Sequence, residues 1–248
     1  MIGDGFPRAR CVVLISHPGI VGSAPKNPDP YTDGMVFSGW PNEAIDFYDG
    51  LEEDNSKVYW QAHKAVYDQA VKAPMDALLA ELAAEFGEGK VFRPNRDVRF
   101  SNDKSPYKTA IGAVLGRGGY VQLSGAGLGV GSGMYGMASD QLERYREAVG
   151  SDTTGGELAK LVAAARAKGL EVTAHEELKT APRGYPRDHP RIELLRLKGL
   201  HTWKEWPVAP WLATSKAKTR VVDLLRRSRP LTEWLDANVG PGDGASTR

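Results

Sequence analysis

Between Gly125 and Gly133 glycine takes every second position, in the string GAGLGVGSG. Side chains alternate between the two faces of a strand, so an extended chain through this string has one bare face. Each glycine in a regular element costs about 0.5–1 kcal/mol relative to alanine. The bareness points to something lying against the backbone: an aromatic ring, another element or a ligand. A flexible hairpin loop is the alternative. The surroundings narrow the choice of fold. Residues 91–93, 98–101, 109–114, 120–124 and 128–135 all read as strands separated by turn residues, with no helical period between them. Strands that follow one another so directly pair antiparallel, because a parallel pair needs a long crossover.

Helical patterns flank this block. Ala44, Phe47, Tyr48 and Leu51 fall at i, i+3, i+4 and i+7, with Pro41 at the first helical position. Asn55 or Ser56 can cap a second helix running to Val71, ended or kinked by Pro74. Met75 to Phe86 forms a third, closed by Gly87. Trp60, His63 and Tyr67 share one face of the second helix, as core packing or as the wall of a pocket. After the strands, Leu142, Tyr145 and Val149 mark a helix, and Leu158 to Ala165 another, closed by Gly169. A short strand near Val172, a helix at 192–197, a strand at 200–206 and helices at 216–228 and 230–239 complete the pattern, the last opened by Pro230. The expected fold is α+β: a central, mainly antiparallel sheet flanked by helices, as a single domain over residues 35–239.

Residues 1–34 read differently. GSAPKNPDPYTDG shows neither period, so this part is expected to be a disordered tail or a misassigned extension, with Met35 as the true start. Residues 240–248 are expected to be a disordered tail.

The chain has 248 residues, a net charge of +1 and a single cysteine, Cys11. An intramolecular disulfide and a cysteine-based zinc site are both excluded. The five histidines form no HxxxH or HExxH pair, so no metal site is expected. A near-neutral charge argues against holding nucleic acid by bulk electrostatics. No apolar run approaches a membrane span, and CVVLI (residues 11–15) is too short for a signal-peptide core, which reads as a cytoplasmic protein without a membrane partner. Gly131, Gly133 and Gly136 satisfy GxGxxG, but they follow sheet hairpins rather than opening a βαβ unit, so no dinucleotide cofactor is expected.

The richest chemistry lies in FRPNRDVRFSNDKSPYKT, residues 92–109. Arg93, Arg96, Arg99, Lys104 and Lys108 crowd there around Asp97, Asp103 and Tyr107. Cations are not packed together without carboxylates or an anionic ligand. On an extended strand Arg96 would share a face with Val98 and Phe100, while Asp97 and Arg99 share the other. Pro106 keeps Ser105 extended, and a turn would bring Lys104, Tyr107 or Lys108 back towards Arg99. Forked guanidinium donors, ammonium groups and a phenol in one place suit a phosphate or a carboxylate. An internal ion-pair network is the competing reading, as is a nucleic-acid or protein interaction module. One arginine locked in structure and another open to a ligand would reconcile the two.

This string, from Arg93 to Tyr107, resembles the RxxRDxRFxx[DN]KxxY signature of domain-of-unknown-function family 2461, a largely bacterial family without an established activity. The similarity runs from about Phe37 to Val239 and takes in FSGWPNEAIDFYDGL and PRGYPRDHPRIELLRLKG. The resemblance implies no catalytic residues.

A second cluster, KTAPRGYPRDHPR, carries Lys179, Arg183, Tyr185, Arg187, His189 and Arg191 on a loop stiffened by three prolines. It is either a rigid solvated connector or the second wall of a site. Lys179, Arg183, Tyr185 and His189 are its candidate ligand contacts. Tyr107, His189 or Asp97 would carry protons if the protein performs chemistry. Trp203, Trp206 and Trp211 read as packing. The sequence thus favours a small anionic ligand held between the basic segment and the proline loop, and leaves enzymatic activity and oligomeric state open. Intact-mass measurement of the native protein checks the start site: the mass of a chain beginning at Met35 is expected, and that of one beginning at Met1 refutes it.

Overall fold

The computed structural model describes residues 36–242, except Phe100 and Arg117. The expected extension at 1–34, Met35, Cys11 and residues 243–248 lie outside the described residues.

The glycine string is a strand, and the sheet around it is antiparallel throughout. Six strands, β1 (Gly89–Val91), β2 (Ala110–Leu115), β3 (Gly119–Ser124), β4 (Gly127–Met134), β5 (Glu171–Thr173) and β6 (Leu200–Pro207), lie in the order β1-β2-β3-β4-β6-β5. The helices are α1 (Asn42–Glu53), α2 (Lys57–Val66), α3 (Ala73–Phe86), α4 (Ser139–Gly150), α5 (Asp152–Ala167), α6 (Ile192–Leu195) and α7 (Lys216–Asn238). The α+β reading holds. No described helix is long and apolar enough to cross a membrane.

Register assigns the two faces of the sheet. Leu115, Gly119, Ser132 and Thr202 lie in one cross-strand neighbourhood and meet α7: a Cβ at Gly119 would touch Leu225, and Thr202 Oγ1 is 2.7 Å from Ser228 Oγ. On the same face Gly89 packs on Leu79 of α3, and Val172 of β5 is buried. The helices α3, α5 and α7 therefore pack on this side, over a core that includes Leu123, Leu128, Leu158, Leu200 and Leu224.

The opposite face carries Lys90, Val114, Tyr120, Gly131, Trp203 and Glu171 in one row across the strands, and Gly112, Gln122, Gly129 and Glu205 in the next. Two aromatic rings use the bare backbone. The Trp203 indole lies against Gly129 and Gly131, where a Cβ would come within 2.6 and 2.8 Å of the ring. Tyr120 covers Gly112, where a Cβ would meet its hydroxyl at 2.5 Å.

Two helix boundaries differ from the sequence reading. The second helix does run on beyond Val66, but through a π-helical segment, Tyr67–Lys72, into α3. Pro74 sits in the first turn of α3 and lacks an N–H; the Ala73 N–H bonds Asp68 O, five residues back, so the widened turn carries the chain past the ring. Ser56, not Asn55, caps α2, its hydroxyl accepting the Tyr59 N–H at 3.1 Å. At the C-terminus the two expected helices are one, because α7 continues through Pro230. Val221, Leu224 and Leu225 before the proline and Leu231, Trp234 and Leu235 after it are buried, and this packing outweighs the lost hydrogen bond. Gly240 and Pro241, placed in the tail by the sequence, are tied to α4: Gln141 donates to Gly240 O and Arg144 to Pro241 O.

Gly133 closes β4 at φ +130°, where a Cβ would lie 2.4 Å from Leu200 O. Gly133→Ala is expected to destabilise the fold by about 1–3 kcal/mol, the cost of a strained backbone position, measured by urea unfolding.

Candidate functional site

Among the described residues of 92–109 there is no strand at 98–101, where one is expected. These residues form a loop closed at its neck by backbone bonds: Arg96 N–H to Pro106 O (2.9 Å), Lys108 N–H to Pro94 O (2.8 Å) and a bridge between Asn95 and Tyr107. The neck is anchored by α2 and by the turn that precedes it. The Asn55 amide donates to Tyr107 O and accepts the Tyr107 N–H, both at 3.0 Å, and the Tyr107 ring stacks on Trp60 at 4.3 Å. Tyr107 is therefore a buried structural anchor, and its hydroxyl carries no assigned chemistry. Asn55, weighed in sequence only as a cap, spends its side chain on this neck.

Within the loop the two aspartates each take one arginine. Asp97 accepts from Arg99 Nε and Nη2 at 2.9 and 2.6 Å, and Asp103 accepts from Arg96 and from the Ser105 hydroxyl and N–H. Hydrogen bonds from Arg99 hold the Asp97 carboxyl down to about 2, and those from Arg96 and Ser105 hold Asp103 well below the usual range. The expected division between Arg96 and Arg99 is not seen, since both are paired. Lys104 donates to Val98 O at 3.0 Å. The Arg99–Asp97 pair stands in water, with side chains 76% and 45% exposed, so its contribution is to loop shape more than to stability.

Arg93 and Lys108 remain. No hydrogen bond or ion pair among the described residues joins either side chain to a carboxylate. The Lys108 ammonium lies 5.5 Å from the centre of the Phe92 ring, and burial, then the positive charge of Arg93, lower its pKa.

The proline loop does not face this motif. The basic loop leaves β1 at one edge of the sheet, at the end where β3 turns into β4. The loop after β5 leaves from the other edge and, because β5 runs antiparallel to β6, from the other end. Five strand spacings separate the edges, about 24 Å. Arg191 is bound up in structure, donating to Val149 O and Gly150 O at the end of α4 and to Asp152 at the start of α5. His189 Nδ1 accepts the Arg191 N–H, and Tyr185 packs against Gly150. Lys179, Arg183 and Arg187 are exposed. The single site spanning both clusters is thus replaced by two separate surfaces.

Sequence reasoning missed a cluster on the face of the sheet opposite α3, α5 and α7. Gly133 and Thr173 both pair with His201, so Tyr135 and His175, two residues further along their chains, fall beside it. The Tyr135 ring stacks on His175 at 4.6 Å and lies 5.4 Å from His201, and the Tyr135 hydroxyl is hydrogen-bonded to His175 Nδ1 at 2.6 Å. His201 Nδ1 is buried with no partner. Burial, aided by His175, lowers the His201 pKa to about 4, and burial raises that of Tyr135. The hydrogen bond of the cluster joins the phenol of Tyr135 to the imidazole of His175, and only register could have revealed it. Separately, a cleft of about 150 Å³ on the helix-bearing side is lined by Glu85, Arg229, Glu233 and Asp236, among others, and is too rich in carboxylates to attract an anion. Among the described residues no three His, Cys, Asp or Glu side chains converge to hold a metal.

His201 sets a pH dependence. Between pH 6.5 and 4 the unfolded chain protonates this imidazole while the folded chain does not, so stability falls as pH falls through that window. The loss approaches about 3 kcal/mol below pH 4. Replacing His201 by Phe is expected to flatten the stability profile between pH 6.5 and 4, measured by urea unfolding at a series of pH values. The fall below pH 4, where Asp97 and Glu85 protonate, is expected to persist.

No curated protein and no solved structure is significantly similar to the chain. A family model does match, over residues 43–234, which takes in every element from α1 to most of α7 and both basic segments. The chain belongs to the family described as Conserved hypothetical protein (DUF2461).

Proposed function

We propose that the protein binds a small anionic ligand, bearing phosphate or carboxylate, at the neck of the basic loop, with Arg93 and Lys108 as its contacts. One observation carries this reading. Lys108 is partly buried within reach of the positive charge of Arg93, and no hydrogen bond or ion pair among the described residues joins either side chain to a carboxylate, although Arg93 also acts on Asp97 through its charge. Two adjacent cations repel one another and lose hydration, a cost that an anion between them reverses. The other charged groups of the motif have a different part. Asp97 and Asp103 hold Arg99 and Arg96, and these pairs, with Asn55 and Tyr107, shape the loop that sets Arg93 against Lys108. For Arg96 and Arg99 the ion-pair network is therefore the better reading. Lys179, Arg183, Tyr185 and His189 belong to the opposite edge of the sheet and are not part of this site. No reaction is assigned to it.

The double substitution Arg93→Gln, Lys108→Gln is expected to weaken binding of pyrophosphate by about tenfold or more, as loss of charge-assisted hydrogen bonds requires. Urea unfolding is expected to change by less than about 0.5 kcal/mol, since neither side chain anchors the fold. Calorimetric titration measures the first. Equal affinity in the double variant, or no thermal shift of the native protein with phosphates, nucleotides or carboxylates, sinks the reading.

A further inference from the structure

The face of the sheet opposite α3, α5 and α7 continues directly from Lys108, whose ammonium lies 5.5 Å from the centre of the Phe92 ring. Phe92 follows β1 on this face, with its N–H bonded to Gly112 O. Its ring lies 6.3 Å from Tyr120, and Tyr120 lies 5.9 Å from Trp203 at an interplanar angle of 30°. Tyr120 and Trp203 each lie against glycine backbone, over Gly112 and over Gly129 and Gly131. Both rings thus rest on the sheet, and all three side chains are partly exposed. A tilted aromatic pavement results, with Lys108 at one end.

Charge along this face is polarised. Lys90 and, against Phe92, Lys108 lie towards the β1 edge, whereas Glu205 lies beyond Trp203 on β6. An occupant with negative charge along its whole length would run into this carboxylate. One with a flat ring at one end and its charge at the other fits both halves.

We infer that the occupant is a nucleotide, its base stacked on Tyr120 and Trp203 and its phosphates held by Arg93 and Lys108. This rests on the anion-binding reading of the basic loop and adds to it the class of ligand. The mode differs from a glycine-rich phosphate loop, because the glycines here seat the protein's own aromatic rings and the phosphates meet side chains. A base stacked on an aromatic side chain contributes enough for a tenfold or larger gain in affinity.

Calorimetric titrations of the full chain with ADP, adenosine, pyrophosphate and an eight-nucleotide single strand test the inference. ADP is expected to bind about tenfold or more tightly than pyrophosphate or adenosine. Trp203→Leu and Tyr120→Leu are expected to reduce ADP affinity towards that of pyrophosphate and to leave pyrophosphate binding unchanged. Trp203→Phe, which keeps a ring over Gly129 and Gly131, is expected to fall between, and it serves if the leucine variants do not fold. Equal binding of ADP and pyrophosphate, or ADP binding indifferent to residue 203, overturns the nucleotide and leaves the anion site standing. Failure of both ADP and pyrophosphate to bind overturns the anion site as well. Tighter binding of the single strand than of ADP overturns a mononucleotide in favour of a polymer.

Discussion

The rest of the structure depends on the two-faced character of β4. Leu128, Val130 and Ser132 point one way and are buried against the helix layer. Gly127, Gly129, Gly131 and Gly133 point the other way and leave the backbone bare. Because β4 sits between β3 and β6, a bulky residue at the glycine positions would lift Trp203 off the sheet and displace Tyr120, which lies beside it. Close approach of rings to backbone replaces side-chain interdigitation on this face. One face is thereby a conventional core, and the other, among the described residues, is a thin aromatic layer without helices over it.

Electrostatics in the basic loop follow a similar economy. A crowded set of cations is reduced by two aspartates whose partners lie within a few residues, so the network assembles locally. Exposed pairs of this kind contribute little to stability. Their effect is geometric: Arg96 and Arg99 are engaged, Tyr107 is clamped by Asn55 and stacked on Trp60, and Lys108, at the sheet edge, still feels the positive charge of Arg93. The functional reading therefore rests on what the ion pairs leave over.

Much of the fold was legible because its signals are local. The stripes of α1, α3, α4 and α5 and the succession of β2, β3 and β4 fall where apolar period and turn residues place them. The misreadings have local causes too. Pro230 breaks a helix in isolation but not one whose two halves bury Leu224, Leu225, Leu231 and Trp234 against the same layer. Val98 and its neighbours have strand composition, yet Asp97 and Asp103 bond nearby groups and bend the chain instead. The candidate residues were legible in composition, but their placement was not: Arg96 and Arg99 are ion-paired within the basic loop, and the proline loop lies at the other edge of the sheet.

By itself, the sequence determined the antiparallel character of the sheet, the bare face of β4, the excess of cations over carboxylates in residues 92–109 and the family. These depend on neighbours along the chain, on residue type and on period. Only the tertiary structure decided that the two basic segments lie at opposite edges, that Trp203 and Tyr120 occupy the glycine face, and that Tyr135, His175 and His201 meet. Each of these follows from strand order and register, which pair residues tens of positions apart and leave no trace in local spacing.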